Sequence, residues 1–263
     1  MKITCYLLLF FATCQPLNSS AQIIDNIEKS LDSRSSGSKE TFNSGGNEYW
    51  WLELVLEIGY YGSYGLLFGF EDEPRPNDVM FSNYPYEDGK NGLYQPLDLA
   101  GYRVRTEVLA HLQTNEDALF GGYGQIRFFP NRAMTIDVNH LQLFEQLEDG
   151  GNDRFSITNF NLQFNRVRNE KFHLWWGGGL MLLNGDLLYG SPSFSSGFDW
   201  FFKKPLSLHA ETQVAFPNGV FTRQNQARMQ VHLGRFMVYA GTLGLRVEDV
   251  RVPNWILGTG IYF

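Results

Sequence analysis

The chain has 263 residues, of which 19% are charged, 16% aromatic and 27 glycine, with a formal net charge of −7. That acidic balance excludes a nucleic-acid-binding protein, which needs a basic face. The two cysteines, Cys5 and Cys14, both lie at the very start, so a chain shorn of its leader has no disulfide, thiolate metal site or cysteine nucleophile.

Residues 1–21 are predicted to be a secretory signal peptide. Lys2 supplies the positive charge, Ile3 to Ala12 the short apolar run and Ser19-Ser20-Ala21 a small-x-small cleavage site, which leaves Gln22 first. The run is too short to cross a bilayer as a helix. Lipid attachment at Cys14 is disfavoured because Thr13 precedes it. Residues 22–47 are expected to form a periplasmic tail and flexible linker. Within them Ile23, Ile24, Ile27 and Leu31 have helical spacing, but so short a helix is marginal alone. Residues 32–47 are rich in Ser, Gly and Asn, the composition of a flexible coil.

From residue 48 onward the hydrophobic period is two. Trp50, Leu52, Leu54 and Leu56 alternate with Glu53 and Glu57; Tyr102, Val104, Thr106 and Val108 alternate with Arg103, Arg105 and Glu107. Phe160, Leu162 and Phe164 alternate with Asn161 and Gln163, and Leu208, Ala210 and Thr212 with His209 and Glu211. Each such segment needs one apolar and one polar environment. About twelve strands are predicted, at 49–59, 62–71, 99–112, 118–129, 133–147, 154–167, 171–184, 194–203, 206–216, 226–233, 236–248 and 253–263, with ten as the alternative count. Connections alternate between short turns and longer loops such as 185–193 and 217–225, as in an up-and-down barrel with both termini on one side. Residues 72–98, with four prolines, break that alternation. Either the strand count is wrong near the start, or this segment packs in or under the barrel.

The final strand, Trp255 to Phe263, alternates to the last residue and carries no charge, which in a water-soluble sheet would be an adhesive edge. In a closed membrane barrel it pairs with the first strand and shows one face to lipid. The expected fold is therefore all-β: an antiparallel up-and-down transmembrane barrel over residues 48–263. The signal ending in Ala21-Gln22, the aromatic-rich strands and the terminal Phe263 together resemble bacterial outer-membrane β-barrel proteins, the Ala-Gln junction resembling those of the Bacteroidota. That resemblance implies a Gram-negative outer-membrane location, porin-like architecture, and assembly through periplasmic chaperones and the barrel-insertion machinery. Gly258, Ile261 and Phe263 occupy the positions of the assembly signal, with Ile261 aliphatic where an aromatic is usual.

With the apolar sets facing lipid, the interior set is Glu53, Glu57, Arg103, Arg105, Glu107, Arg127, Asp137, Asn161, Gln163, His209, Glu211, Arg228, His232, Arg246 and Glu248. Nearly balanced charges in a narrow lumen are expected to pair and constrict it, since unpaired buried ions are costly. The roles this suggests are structural, passage of a small solute, or surface interaction, with outer-membrane lipid as the surrounding partner and no specific ligand indicated. Two alternatives remain open. A lipid-acting hydrolase would use His209, Glu211 and His232, with Ser207 as the nearest hydroxyl, although the local settings familiar from barrel lipid hydrolases are absent. A soluble exported barrel would bury its aromatics around a ligand. No catalytic residue, metal site or cofactor is assigned. The run Gly177-Gly178-Gly179 lacks the lysine of a phosphate loop and reads as close strand packing. Trp50, Trp51, Trp175, Trp176, Trp200 and Trp255 are expected at the headgroup level.

Overall fold

The computed structural model describes residues 22–32, 79–87, 91–96, 102–115, 119–146 and 151–263. The expected signal peptide, the linker beyond Asp32, and the expected strands at 49–59 and 62–71 with Glu53 and Glu57 lie outside the described residues.

A helix, α1 (Ile23–Asp32), comes first, then a small hairpin of β1 (Val79–Phe81) and β2 (Tyr94–Pro96). Ten antiparallel strands follow: β3 (Arg105–Thr114), β4 (Leu119–Asn131), β5 (Met134–Gln146), β6 (Asn152–Arg168), β7 (Phe172–Asn184), β8 (Leu188–Lys203), β9 (Leu206–Ala215), β10 (Thr222–Leu233), β11 (Phe236–Val247) and β12 (Val250–Tyr262). Each pairs with the next, and β12 pairs with β3 from Trp255↔Thr114 to Tyr262↔Glu107, which closes the barrel without the two earliest expected strands. The ten-strand alternative is the one realised. Closure leaves no unpaired sheet edge.

The period of two sets the faces. Along β4, Leu119, Tyr123, Gln125, Arg127 and Phe129 are buried inside, while Phe120, Ile126 and Phe128 point out. Outward apolar side chains are frankly exposed, Leu112 at 74% and Leu257 at 66%. At one end of the barrel the turns are tight and built by asparagine. Asn131 Oδ1 accepts the amides of Ala133 and Met134 at 2.9 and 3.0 Å, and Asn169 Oδ1 those of Lys171 and Phe172 at 3.1 and 2.6 Å. The glycine run lets β6 and β7 approach closely: a Cβ at Gly177 would stand 2.2 Å from Leu162 O, and one at Gly179 only 1.9 Å from Phe160 O.

Two expectations are corrected here. The long loops at 185–193 and 217–225 shrink, because β8 begins at Leu188 and β10 at Thr222. The serine-rich stretch is itself alternating, with Ser191, Ser193 and Ser195 inward and Leu188, Pro192 and Phe194 outward. The expected tail is a docked element: α1 buries Ile23, Ile24, Ile27 and Leu31 inside the barrel mouth. Packing supplies the stability that so short a helix lacks alone.

Candidate functional site

The interior falls into three layers. At the end of the barrel where β3 meets β4, inward residues such as Leu119, Leu141, Leu143, Phe155, Ile157 and Leu183 form an apolar funnel, and the isoleucine face of α1 fills it. The seat is also polar at its rim. Glu145, 1% exposed, receives the first helical amides of Ile23 and Ile24 on its two oxygens at 2.7 and 2.8 Å. A carboxylate at a helix N-terminus is stabilised by the free amides and the dipole. Asn218 Nδ2 donates to Leu31 O at 2.7 Å and the Asp186 amide to Glu28 Oε1 at 2.9 Å, so loops hold both the far turn and the side of the helix. Desolvation, reinforced by the neighbouring Asp186, Asp153 and Asp25, raises the Glu28 carboxyl above its ordinary value, and the Asp186 amide partly offsets this.

The middle layer is a belt of charge fixed by strand register. Glu107 lies directly opposite Arg127, and Arg127 opposite Asp137; across the barrel His173 opposes Asp199, Asp199 opposes His209 and His209 opposes Arg228. Arg127 Nη1 reaches Glu107 at 3.2 Å and Asp199 at 3.5 Å, tying the two sides together. Asp199 also meets His209 Nδ1 at 2.8 Å and His173 Nδ1 at 3.2 Å. Arg105 Nε stands 3.2 Å from Glu107. Amide donors surround Asp137: Gln125 at 2.7 Å, Asn139 at 3.0 Å and Asn161 at 3.3 Å. The guanidinium groups also cover aromatic faces, Arg127 on Trp175 at 4.5 Å, Arg105 on Tyr262 at 4.4 Å and Arg228 on Tyr239 at 4.9 Å. Arg105, Arg127 and Asp199 are tolerable this deep because each has an opposite charge, and Asp137 because of its donor shell; Arg228 has the Gln226 Oε1 acceptor at 3.2 Å and the Tyr239 ring. A cavity between Glu107, Arg127, Asp199, Phe201 and Arg228 has a volume of about 10 Å³, the size of one water.

The third layer closes the opposite end. The β1–β2 hairpin packs Val79, Phe81, Leu93 and Tyr94 against Phe129 and Phe201 of the wall. Wall arginines hold its main chain: Arg105 Nη1 donates to Ser82 O at 2.9 Å and Arg132 Nη1 to Val79 O at 2.6 Å. Of the two readings of residues 72–98, the described part therefore packs inside the barrel end.

Of the expected interior residues, Arg105, Glu107, Arg127, Asp137, Asn161, Gln163, His209, Arg228 and His232 are buried inside, and Glu211 joins His209 with an N–O distance of 3.5 Å. Three lie elsewhere. Arg103 is exposed ahead of β3; Arg246 projects outward from β11, on the parity opposite to the buried Leu245 and Val247; Glu248 sits in the β11–β12 turn with a φ of 53°. Arg103 and Glu248 lie beyond the strand ends that impose alternation, whereas Arg246 is within β11 at the apolar funnel, where Leu245 and Val247 face in and the polar residue faces out. Trp175 is a second correction: it is buried in the belt, whereas Trp176, Trp200 and Trp255 do face out. Asp199 and His173, central to the belt, were missed because each sits singly among apolar and aromatic neighbours, Phe198 and Trp200 around the one and Phe172 and Leu174 around the other. Parity with Phe198 and Trp200 outward would have placed Asp199 inside. On β12, Gly258 lies on the inner side, and Ile261 and Phe263 on the outer.

The trio that the hydrolase alternative would use does not assemble. His232 pairs instead with Ser207 Oγ at 2.7 Å and with the Tyr262 hydroxyl at 3.1 Å, so its second nitrogen faces a phenol and not a carboxylate. Ser207 is fully buried.

No protein-family model matches the chain, and none of the curated proteins matches it. Among solved structures it is similar to the N-terminal β-barrel domain of Pseudomonas aeruginosa OprF, at 12% identity and a TM-score of 0.33 over 60% of this chain and 97% of that one. It is also similar to the attachment invasion locus protein Ail of Yersinia pestis, at 15% identity over 61% of this chain. The TM-score is 0.29 over 97% of Ail in its crystal structure and 0.36 over 99% in a phospholipid nanodisc. These likenesses add nothing to the closed barrel that strand pairing already establishes.

Proposed function

We propose that this chain is an integral outer-membrane β-barrel protein, not an enzyme, whose lumen is closed at rest. Its role on this reading is structural or surface-facing, and passage of a small solute requires α1 or the hairpin to move. The observation that carries the reading is the inverted polarity of the wall. Leucine, phenylalanine and tryptophan stand exposed outside, while paired arginine, aspartate and histidine lie inside. A barrel dissolved in water reverses that order, so the soluble ligand carrier is disfavoured. Strands of 10 to 17 residues are long enough to cross a hydrocarbon core at a tilt. A buried Ser207 whose histidine partner has no orienting carboxylate gives a hydrolase little support. Ile261 and Phe263, outward on the closing strand, are the side chains we assign to recognition by the insertion machinery.

The test is fractionation of cells expressing the full chain, followed by gels with and without boiling and then planar-bilayer conductance. Recovery only in detergent, a heat-shifted band and little conductance are expected. Recovery in the aqueous fraction sinks the membrane reading; large steady conductance sinks the closed lumen.

A further inference from the structure

The outer wall at the helix end carries a feature that neither lumen nor apolar belt explains. Arg223 on β10 is directly opposite Arg246 on β11, and Arg246 is directly opposite Arg251 on β12. All three have outward parity, so three guanidinium groups form a row across three neighbouring strands. Directly opposed like charges weaken a sheet. None of the three makes an ion pair among the described residues. Arg246 Nε donates to Glu248 O at 2.7 Å and its guanidinium lies 5.8 Å from the Phe221 ring, while Arg223 Nε is buried with no partner. Below the row, past Asn225, Gly244, Thr242 and Pro253, the wall turns apolar through Ala227 and Met229, Ala240 and Val238, and Trp255 and Leu257. The acidic neighbours are Glu248 and Asp249, in the turn above.

We infer that the Arg223–Arg246–Arg251 row is a binding site for the phosphate group of a membrane lipid whose acyl chains lie along the apolar wall below. This rests on the membrane reading above, which places the row at the headgroup level. Arginine suits the role because its planar fork grips a phosphate through two parallel hydrogen bonds. A dianionic phosphate between the strands converts three mutually repelling cations into one shared cluster. The chemistry is a phosphate ester; the source is the bilayer and not free anion, because only a lipid also covers the Trp255 and Leu257 surface.

The test uses the purified full chain in a zwitterionic detergent, titrated with phosphatidic acid or with phosphatidylcholine and read as retained lipid by native mass spectrometry. The comparison is wild type against the triple variant R223Q/R246Q/R251Q, with R154Q on the far wall as a control. Wild type is expected to retain phosphatidic acid over phosphatidylcholine, with retention falling by about fivefold per arginine removed and R154Q behaving as wild type. Equal retention by wild type and the triple variant overturns the inference. So does displacement of the lipid by millimolar inorganic phosphate, which makes the row a site for free anion. The heat-shifted band, run on the same samples, keeps the two readings apart. Its loss from wild type indicts the membrane barrel, and its presence in the triple variant shows that lost lipid is not lost fold.

Discussion

The two ends of the barrel are closed by different physics. At one, a helix fills an apolar funnel and is held at its rim by Glu145, Asn218 and the Asp186 amide. At the other, a hairpin lies on the charged belt, and Arg105 and Arg132 clamp its main chain. The helix seat takes its weight from burial of Ile24, Ile27 and Leu31, which is non-directional, and has directional bonds only at its rim. The hairpin seat has direction, because Arg105 serves Glu107 and Ser82 at once, so moving the hairpin leaves a buried cation short of partners. One wall thus carries a closure fit for release and another bound into the core.

Substitutions should separate the two regions. The largest effect is expected in the belt. Arg127→Met strands Glu107 and Asp199 without their shared cation, and breaking a buried pair costs about 3–5 kcal/mol. The heat-shifted band should convert at a much lower temperature, and an unchanged midpoint would mean that the belt contributes no cohesion. Next comes Ile27→Ala, expected to loosen the helix by about 2–5 kcal/mol while the wall stays folded. With Cys5 and Cys14 replaced by serine, an Ile24→Cys reporter can be read against a cysteine-free background. Its maleimide labelling should accelerate, with the heat-shift midpoint nearly unmoved. Faster labelling together with a lowered midpoint would show that helix and wall unfold together. Glu145→Gln is milder, removing a charge from the helix N-terminus at a cost of about 0.3–2 kcal/mol. It should speed the same labelling by a smaller factor.

The smallest effect is a pH dependence. The Glu28 carboxyl is raised in the seated helix, chiefly by desolvation, so seating favours the protonated form. Its contribution is fully present below the free carboxyl value and fades as pH rises through the raised one. Relative to a free thiol, whose own labelling slows as its thiolate is protonated, labelling at Ile24→Cys should slow further as pH falls across the carboxylate range, and Glu28→Gln should flatten that extra slope.

The wall was legible because alternation is a local property. Phe160, Leu162 and Phe164 against Asn161 and Gln163 determine a strand and its faces whatever lies across the barrel. The sets on β3, β6, β9 and β10 were readable for that reason. The seals were not, because their evidence is non-local. Nothing within residues 23–32 reveals that Glu145, far along the chain, awaits two amides. The belt was half readable: Glu107, Arg127 and Asp137 stand in patterned strands, but Asp199 gains its meaning from His173, His209 and Arg127 on three other strands. Arg246 misled because it continues the sequence rhythm past Leu245 while projecting from the outer face.

The place of α1 in the chain has a consequence for how the molecule comes together. The helix precedes every strand of the wall, yet its contacts run from β6 to the turn after β9 and on to β12, the last strand made. Its seat spans β5 to β12 and is complete only when β12, the last of them, is in place. A segment first out of the ribosome must therefore stay unattached until the final zip. Seating it is then a last event in biogenesis, and the one most exposed to proteases or to a competing apolar guest while it waits.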